Sequence, residues 1–145
     1  MKRIVLSAAC LAVVVSTAAF ATQDEWVRQV RRQLVGYGEQ LANRGYELTH
    51  NIYTGSLDEG ETADVTMRLE LGTQYAIMGV CDNDCTDLDL TLYDAAGNQI
   101  DQDLAADDYP LVEVTPRRTA TFRVRVTMAD CSAEPCRYGV GTFGK

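Results

Sequence analysis

The chain predicts an antiparallel β-sandwich with jelly-roll or Greek-key connections, built from about eight short strands and preceded by one N-terminal amphipathic α-helix. Three observations carry this prediction. Beyond Arg44, apolar residues recur at every second position in run after run, the period of a strand with one buried face. Turn residues separate the runs at short intervals, and no stretch of helical period stands between them.

The first residues are not part of that domain. Lys2 and Arg3, an apolar stretch from Ile4 to Val15 and the closing Ala19-Phe20-Ala21 have the order of a secretory leader, with cleavage expected before Thr22. The apolar run is interrupted by Ser7 and followed by Ser16 and Thr17, so it falls short of the about 20 apolar residues of a membrane span. Cys10 has too few apolar residues before it to mark a lipoprotein leader. The expected division is a signal peptide over 1–21, a helix over 22–43 and a β-sandwich domain over 44–145. Export implies a periplasmic or secreted protein with no stable membrane insertion once the leader is gone.

From Thr22, T-Q-D-E sets a hydroxyl three residues before Glu25, the capping-box spacing that satisfies free amides at a helix start. A helix is expected from about Asp24 to Asn43. Trp26, Val30, Leu34, Tyr37 and Leu41 form its apolar stripe, and Arg28, Arg31, Arg32 and Glu39 lie largely off it. Gly36 and Gly38 each cost such a helix about 1 kcal/mol, so it depends on docking against something.

The strands follow. Val65, Met67, Leu69 and Leu71 alternate with Thr66, Arg68 and Glu70, and further runs cover Tyr75 to Val80, Asp87 to Tyr93, Leu111 to Thr115, Thr119 to Met128 and Arg137 to Phe143. Weaker strands are expected around Tyr46 to Tyr53 and Asn98 to Asp103. Asp94-Ala95-Ala96-Gly97 reads as a type I turn, Asp first and Gly last, closing a hairpin.

Cys81, Cys85, Cys131 and Cys136 remain after leader removal. An even count in an exported chain points to two disulfides. Of three pairings, the local ones, Cys81 with Cys85 and Cys131 with Cys136, are expected, each worth about 2 kcal/mol by loop entropy. The C-x-x-x-C and C-x-x-x-x-C spacings are not those of a zinc ribbon.

Charge narrows the function. The net charge of −8 becomes −10 when Lys2 and Arg3 leave with the leader, which argues against nucleic acid and anionic membranes. The basic clusters at Arg28, Arg31 and Arg32 and at Arg117, Arg118, Arg123 and Arg125 read as solvated faces of a helix and a strand. Nine aspartates and no lysine or arginine lie between Cys81 and Pro110. Such a run is either a hydrated rim or a calcium site. Asp82, Asp84 and Asp87 from one segment with Asp107 and Asp108 from another are the candidate ligands. An EF-hand is excluded, since Asp87 stands where its glycine belongs and Tyr93 where its bidentate Glu belongs. With Leu88, Leu90 and Leu92 turned inward, Asp87, Asp89 and Thr91 should share the outer face.

Catalysis is not expected. His50 is the sole histidine, the leaderless chain keeps only Ser56 and Ser132 as serines, and there is neither a P-loop nor G-x-S-x-G, so no nucleophile has an evident base.

Gly55-Ser56-Leu57, Gly60-Glu61, Leu69-Glu70-Leu71-Gly72 before Tyr75, and above all Asp87-Leu88-Asp89-Leu90-Thr91-Leu92-Tyr93-Asp94 followed by Gly97 resemble the bacterial pre-peptidase C-terminal (PPC) domain family, over about Gly55 to Phe143. The resemblance implies a small exported β-sandwich without catalysis, some of whose relatives bind polymers or aid secretion. The expected function is a binding module whose acidic end meets a protein, a peptide or an envelope polymer, with calcium as its one candidate cofactor. The alternative is a structural or chaperone-like accessory protein acting through the helix. Sugar polymers would require an exposed aromatic set, for which Tyr46, Tyr53, Tyr75, Tyr93, Tyr109 and Tyr138 are the candidates.

Overall fold

In a computed structural model of the chain, residues 18–145 are described, with side chains from Glu25 onward. Residues 1–17, most of the expected leader, lie outside the described residues. Helix α1 spans Ala18–Ala42. It therefore starts upstream of Thr22, and the expected capping box lies within the helix rather than at its start. Alanines at 18, 19 and 21 are strong helix formers and give the backbone no cause to break there.

The other end of α1 is closed by glycine chemistry. Gly45 has φ of 86°, its N–H donates to Ala42 O, and the Tyr46 N–H donates to Leu41 O at 3.2 Å. This is a Schellman closure, in which a left-handed residue lets two terminal carbonyls find partners. Leu41 and Tyr46, which flank it, are both buried.

Nine strands follow: β1 (Glu47–Leu48), β2 (Tyr53–Leu57), β3 (Thr62–Leu69), β4 (Tyr75–Cys81), β5 (Cys85–Tyr93), β6 (Gln99–Asp103), β7 (Leu111–Val114), β8 (Ala120–Cys131) and β9 (Cys136–Gly144). One sheet has the order β2-β9-β4-β7, with β1 also pairing with β9, and the other β3-β8-β5-β6. All pairings are antiparallel. The chain crosses between sheets at almost every connection, which makes this a jelly roll. Only β5 and β6 form a hairpin, on the expected turn: Gly97 (φ 85°) donates to Asp94 O.

Several boundaries differ from expectation: β5 begins at Cys85 and β8 runs on to Cys131, and two further differences have a steric cause. The weak strand around Tyr46 to Tyr53 is two pieces, β1 and β2, and β2 runs on to Leu57 through Gly55. A Cβ at Gly55 would lie 2.6 Å from the Tyr138 hydroxyl, so glycine here admits a tyrosine ring beneath the strand rather than making a turn. β3 ends at Leu69, and Leu71 is exposed, because Gly72, at φ 78°, turns the chain.

The sandwich interior holds Val65, Met67 and Leu69 of β3, Leu88, Leu90 and Leu92 of β5 and Phe122, Val124, Val126 and Met128 of β8, facing Tyr75, Ile77, Tyr138 and Val140. A second apolar layer lies on the opposite face of the first sheet, where Val30, Leu34 and Leu41 of α1 meet Ala76, Met78, Val80 and Phe143. The protein thus has three layers, helix on sheet on sheet. β4, in the middle, is buried at every position.

The helix fits because β9 carries glycine at two of the positions beneath it, Gly139 and Gly141. A Cβ at Gly139 would lie 2.4 Å from Val30 Cγ1, and one at Gly141 3.2 Å from Leu34 Cδ2. Gly38 on the helix lies as closely over the Phe143 ring, at 3.0 Å. These glycines allow backbone and helix to approach where alanine would hold them apart.

Both disulfides have the expected pairing, Cys81 with Cys85 and Cys131 with Cys136. Each joins the end of a strand in one sheet to the start of a strand in the other, and Cys85 and Cys131 are register neighbours. Both bridges therefore pin the two sheets together at one end of the sandwich.

Candidate functional site

The docking of α1 leaves an apolar cleft beside its C-terminal half. Leu34, Val35, Gly38 and Ala42 form the helical wall, Tyr46 and Phe143 the floor, and Leu48 and Ile52 the opposite side, enclosing about 370 Å³. Val35 lies off the stripe that docks the helix and is 57% exposed, and Leu48 faces it at 49%. Glu39 and Glu47 are the only charged residues in the lining. A cleft of this size with an apolar lining and few polar groups suits a side chain or small apolar group. Sequence periodicity missed it, because Val35 belongs to no stripe and Leu48 and Ile52 lie where the strand pattern is weakest.

The floor is braced by a polar cluster. The Tyr46 hydroxyl donates to Glu113 Oε1 at 3.3 Å, and Lys145 Nζ lies 4.4 Å from the centre of the Tyr46 ring. Burial, and then the Glu113 charge, hold the Tyr46 phenol above its ordinary pKa, so it stays a neutral donor.

The five candidate metal ligands do not gather into one group, although Asp82 and Asp84 feel each other's charge, as do Asp87 and Asp107. Asp82 is buried at 2% exposure, and its Oδ2 accepts the Arg137 N–H at 2.8 Å. Asp84 binds the β8–β9 loop through its backbone, whose carbonyl accepts from Ser132 N–H and Oγ. Asp107 Oδ1 accepts the Tyr109 N–H, while its carbonyl accepts from Leu88. Asp108 lies near Tyr37, whose phenol is held above its usual pKa by burial and then by Asp108. Among the described residues no three His, Cys, Asp or Glu side chains form a group that could hold a metal ion.

Asp87 and Asp89 do share the outer face of the second sheet, as the alternation of β5 requires. Burial raises the Asp87 carboxyl above its ordinary pKa, followed by the charges of Asp107 and Asp130. Asp89 is raised by burial and then by Asp87 and Asp103. One corner of this face is therefore a set of mutually repelling carboxylates. Farther along it Arg123 and Arg125 both bind Asp64, at 2.8 and 3.0 Å, and the Arg123 guanidinium lies 4.2 Å from the centre of the Tyr93 ring.

The tyrosines form no exposed platform. Tyr46, Tyr75 and Tyr138 are buried, Tyr93 is covered by Arg123, and the two exposed ones each lean on another tyrosine, Tyr53 on Tyr138 and Tyr109 on Tyr37. The Tyr37 contact and a 2.6 Å hydrogen bond from Gln29 to Asn83 tie α1 to both aspartate-rich loops.

No family model matches the chain, and no curated protein does. Among solved structures it is similar to the pre-peptidase C-terminal domain of a collagenase from Bacillus anthracis, at a TM-score of 0.51 and 14% identity, covering 63% of this chain and 87% of that one. The likeness is one of fold: the protein has a PPC-like β-sandwich, as the DLDL-x-L-YD segment implied. Among the described residues no helix is long and apolar enough to cross a membrane.

Proposed function

We propose that this protein is an exported, non-catalytic jelly-roll module that binds a protein or peptide segment in the cleft between α1 and β1. The observation that carries the reading is that the exposed Val35 and Leu48 line one cleft over an apolar floor, where Glu39 and Glu47 are the only charged residues. The partner supplies an apolar side chain to the cleft and a basic residue to Glu39 and Glu47, in keeping with the net negative charge. Protein is favoured over a sugar polymer because the tyrosines that a sugar would stack on are buried or already paired. Calcium enters this reading as a counter-ion to the corner of Asp87, Asp107 and Asp130 rather than as an ion in a closed cage. The two disulfides and the PPC-like fold support a periplasmic or secreted setting.

Photo-crosslinking side chains at Val35, Leu48 and Thr66 test the reading in envelope extracts of the native host. Adducts are expected at the first two positions, to disappear with Glu39→Lys and Glu47→Lys. Equal labelling at Thr66, on the outer face of the far sheet, would sink it. The accessory reading, in which the helix holds unfolded chains, uses the same cleft and predicts many adducts of unrelated sequence in place of one.

A further inference from the structure

A second cavity, independent of the α1 cleft, lies where the sandwich opens between the β5–β6 turn and the β7–β8 loop, and it encloses about 360 Å³. Its apolar surface comes from Phe122, Val114, Ala120 and Ile100, and Arg117 and Arg118 stand at its edge. Among the described residues neither guanidinium has an ion pair or a side-chain hydrogen bond, whereas Arg68, Arg123 and Arg125 are all paired. Asp94, the one carboxylate in the lining, is held first by its own turn, accepting from Ala96 N–H, Asn98 N–H and Asn98 Nδ2, and its charge also interacts with that of Arg118 without a direct contact. In an acidic protein this is a recess of mixed apolar and polar lining, at whose edge two guanidiniums outnumber the single carboxylate.

We infer that this recess binds a small amphipathic carboxylate, an apolar chain lying over Phe122 with its carboxylate on Arg117 and Arg118. Two guanidiniums present forked donors suited to a carboxylate, and the volume is at the lower end of small-ligand pockets. A peptide end is disfavoured by the neighbouring sheet edge. Extended peptides bind by adding a strand, and the outward N–H groups of β7 at Leu111 and Glu113 are already taken by Asp103 Oδ2 and Asp101 Oδ2, at 2.9 and 2.8 Å.

Decanoate, with decanol as its uncharged counterpart, provides the test on the disulfide-bonded protein, by calorimetry and amide chemical shifts. Saturable decanoate binding is expected, with shifts centred on Val114, Ala120 and Phe122 and at least roughly tenfold weaker binding of decanol. Arg117→Gln with Arg118→Gln should weaken decanoate on the order of tenfold and leave the melting temperature unchanged, since both side chains are exposed. Absent binding, equal binding by the double variant or by decanol, or shifts centred on Val35 and Leu48 would overturn the inference. So would tighter binding of a short peptide with a free C-terminal leucine, which would make the site one for chain ends.

Discussion

Asp87 and Asp64 lie on the same outer sheet face and respond to pH in opposite senses. Asp87 has its pKa raised by burial and by neighbouring carboxylates, so its ionisation disfavours the folded state. That penalty is absent while both states are protonated, grows as pH rises above the ordinary aspartate value of 3.8, and is complete above the folded pKa. Asp87→Asn should therefore raise the melting temperature at pH 7 by roughly 2 to 4 °C, and the gain should fade below about pH 4. Asp64 is held below its ordinary value, first by its bond from Arg125 and also by Arg123. Its contribution is present above 3.8 and lost as pH falls through the depressed folded value. Because the carboxylate is partly exposed, Asp64→Asn should cost no more than about 1 kcal/mol at pH 7, measured by urea melts at two pH values. Gly139 is the sharpest steric position. Alanine there would press on Val30, and a loss of about 1 to 3 kcal/mol is expected, with faster amide exchange in α1 as the distinguishing signal.

At the scale of elements, α1 is the third layer of the domain rather than an appendage. It covers Ala76, Met78, Val80 and Phe143, all buried. Leu34→Ala should cost about 2 to 5 kcal/mol in a denaturant titration. Deletion of residues 22–43 should leave a sandwich that self-associates, since the uncovered face is apolar. Cleft function is accordingly tested by substitution at exposed positions and not by truncation. The β6 aspartates belong to this scale too. Asp101 and Asp103 reach across to cap the free edge of β7, an edge that would otherwise be open to strand addition. Asp101→Ala with Asp103→Ala should produce concentration-dependent dimers in gel filtration. A variant that stays monomeric at high concentration would refute that role.

Over the whole molecule, the covalent ties lie at one end, where both disulfides cross between sheets. Viewed along the chain they close loops of only five or six residues, worth about 2 kcal/mol each. Their spatial effect is larger in kind, because each loop is a crossover between layers. Cys→Ser replacement of either pair should lower stability by about that amount. Replacing both should not be simply additive, because Cys85 and Cys131 are register neighbours. Calcium at millimolar concentration should raise the melting temperature of the wild-type protein and not of Asp87→Asn. An equal response in the two would remove calcium from the functional reading.

The jelly-roll class, the docking stripe of α1, the hairpin turn at Asp94 to Gly97 and the inward leucines of β5 were all legible in the sequence, because each depends on local period or on turn chemistry within a few residues. The disulfide pairs were legible from spacing, but their role as ties between sheets was not. Long-range placement escaped in every case. Asp82 and Asp108 look alike in the sequence, yet one is buried against Arg137 and the other lies beside a helix tyrosine. The seat for α1 was written as Gly139-x-Gly141 in the last strand, a signal visible only once a helix is known to lie over it. Period and turn residues are properties of a segment, whereas which carboxylates meet, what covers a glycine and where a cleft opens are properties of pairs far apart in the chain. Those were decided by the order in which the strands stack, and local sequence does not encode that order.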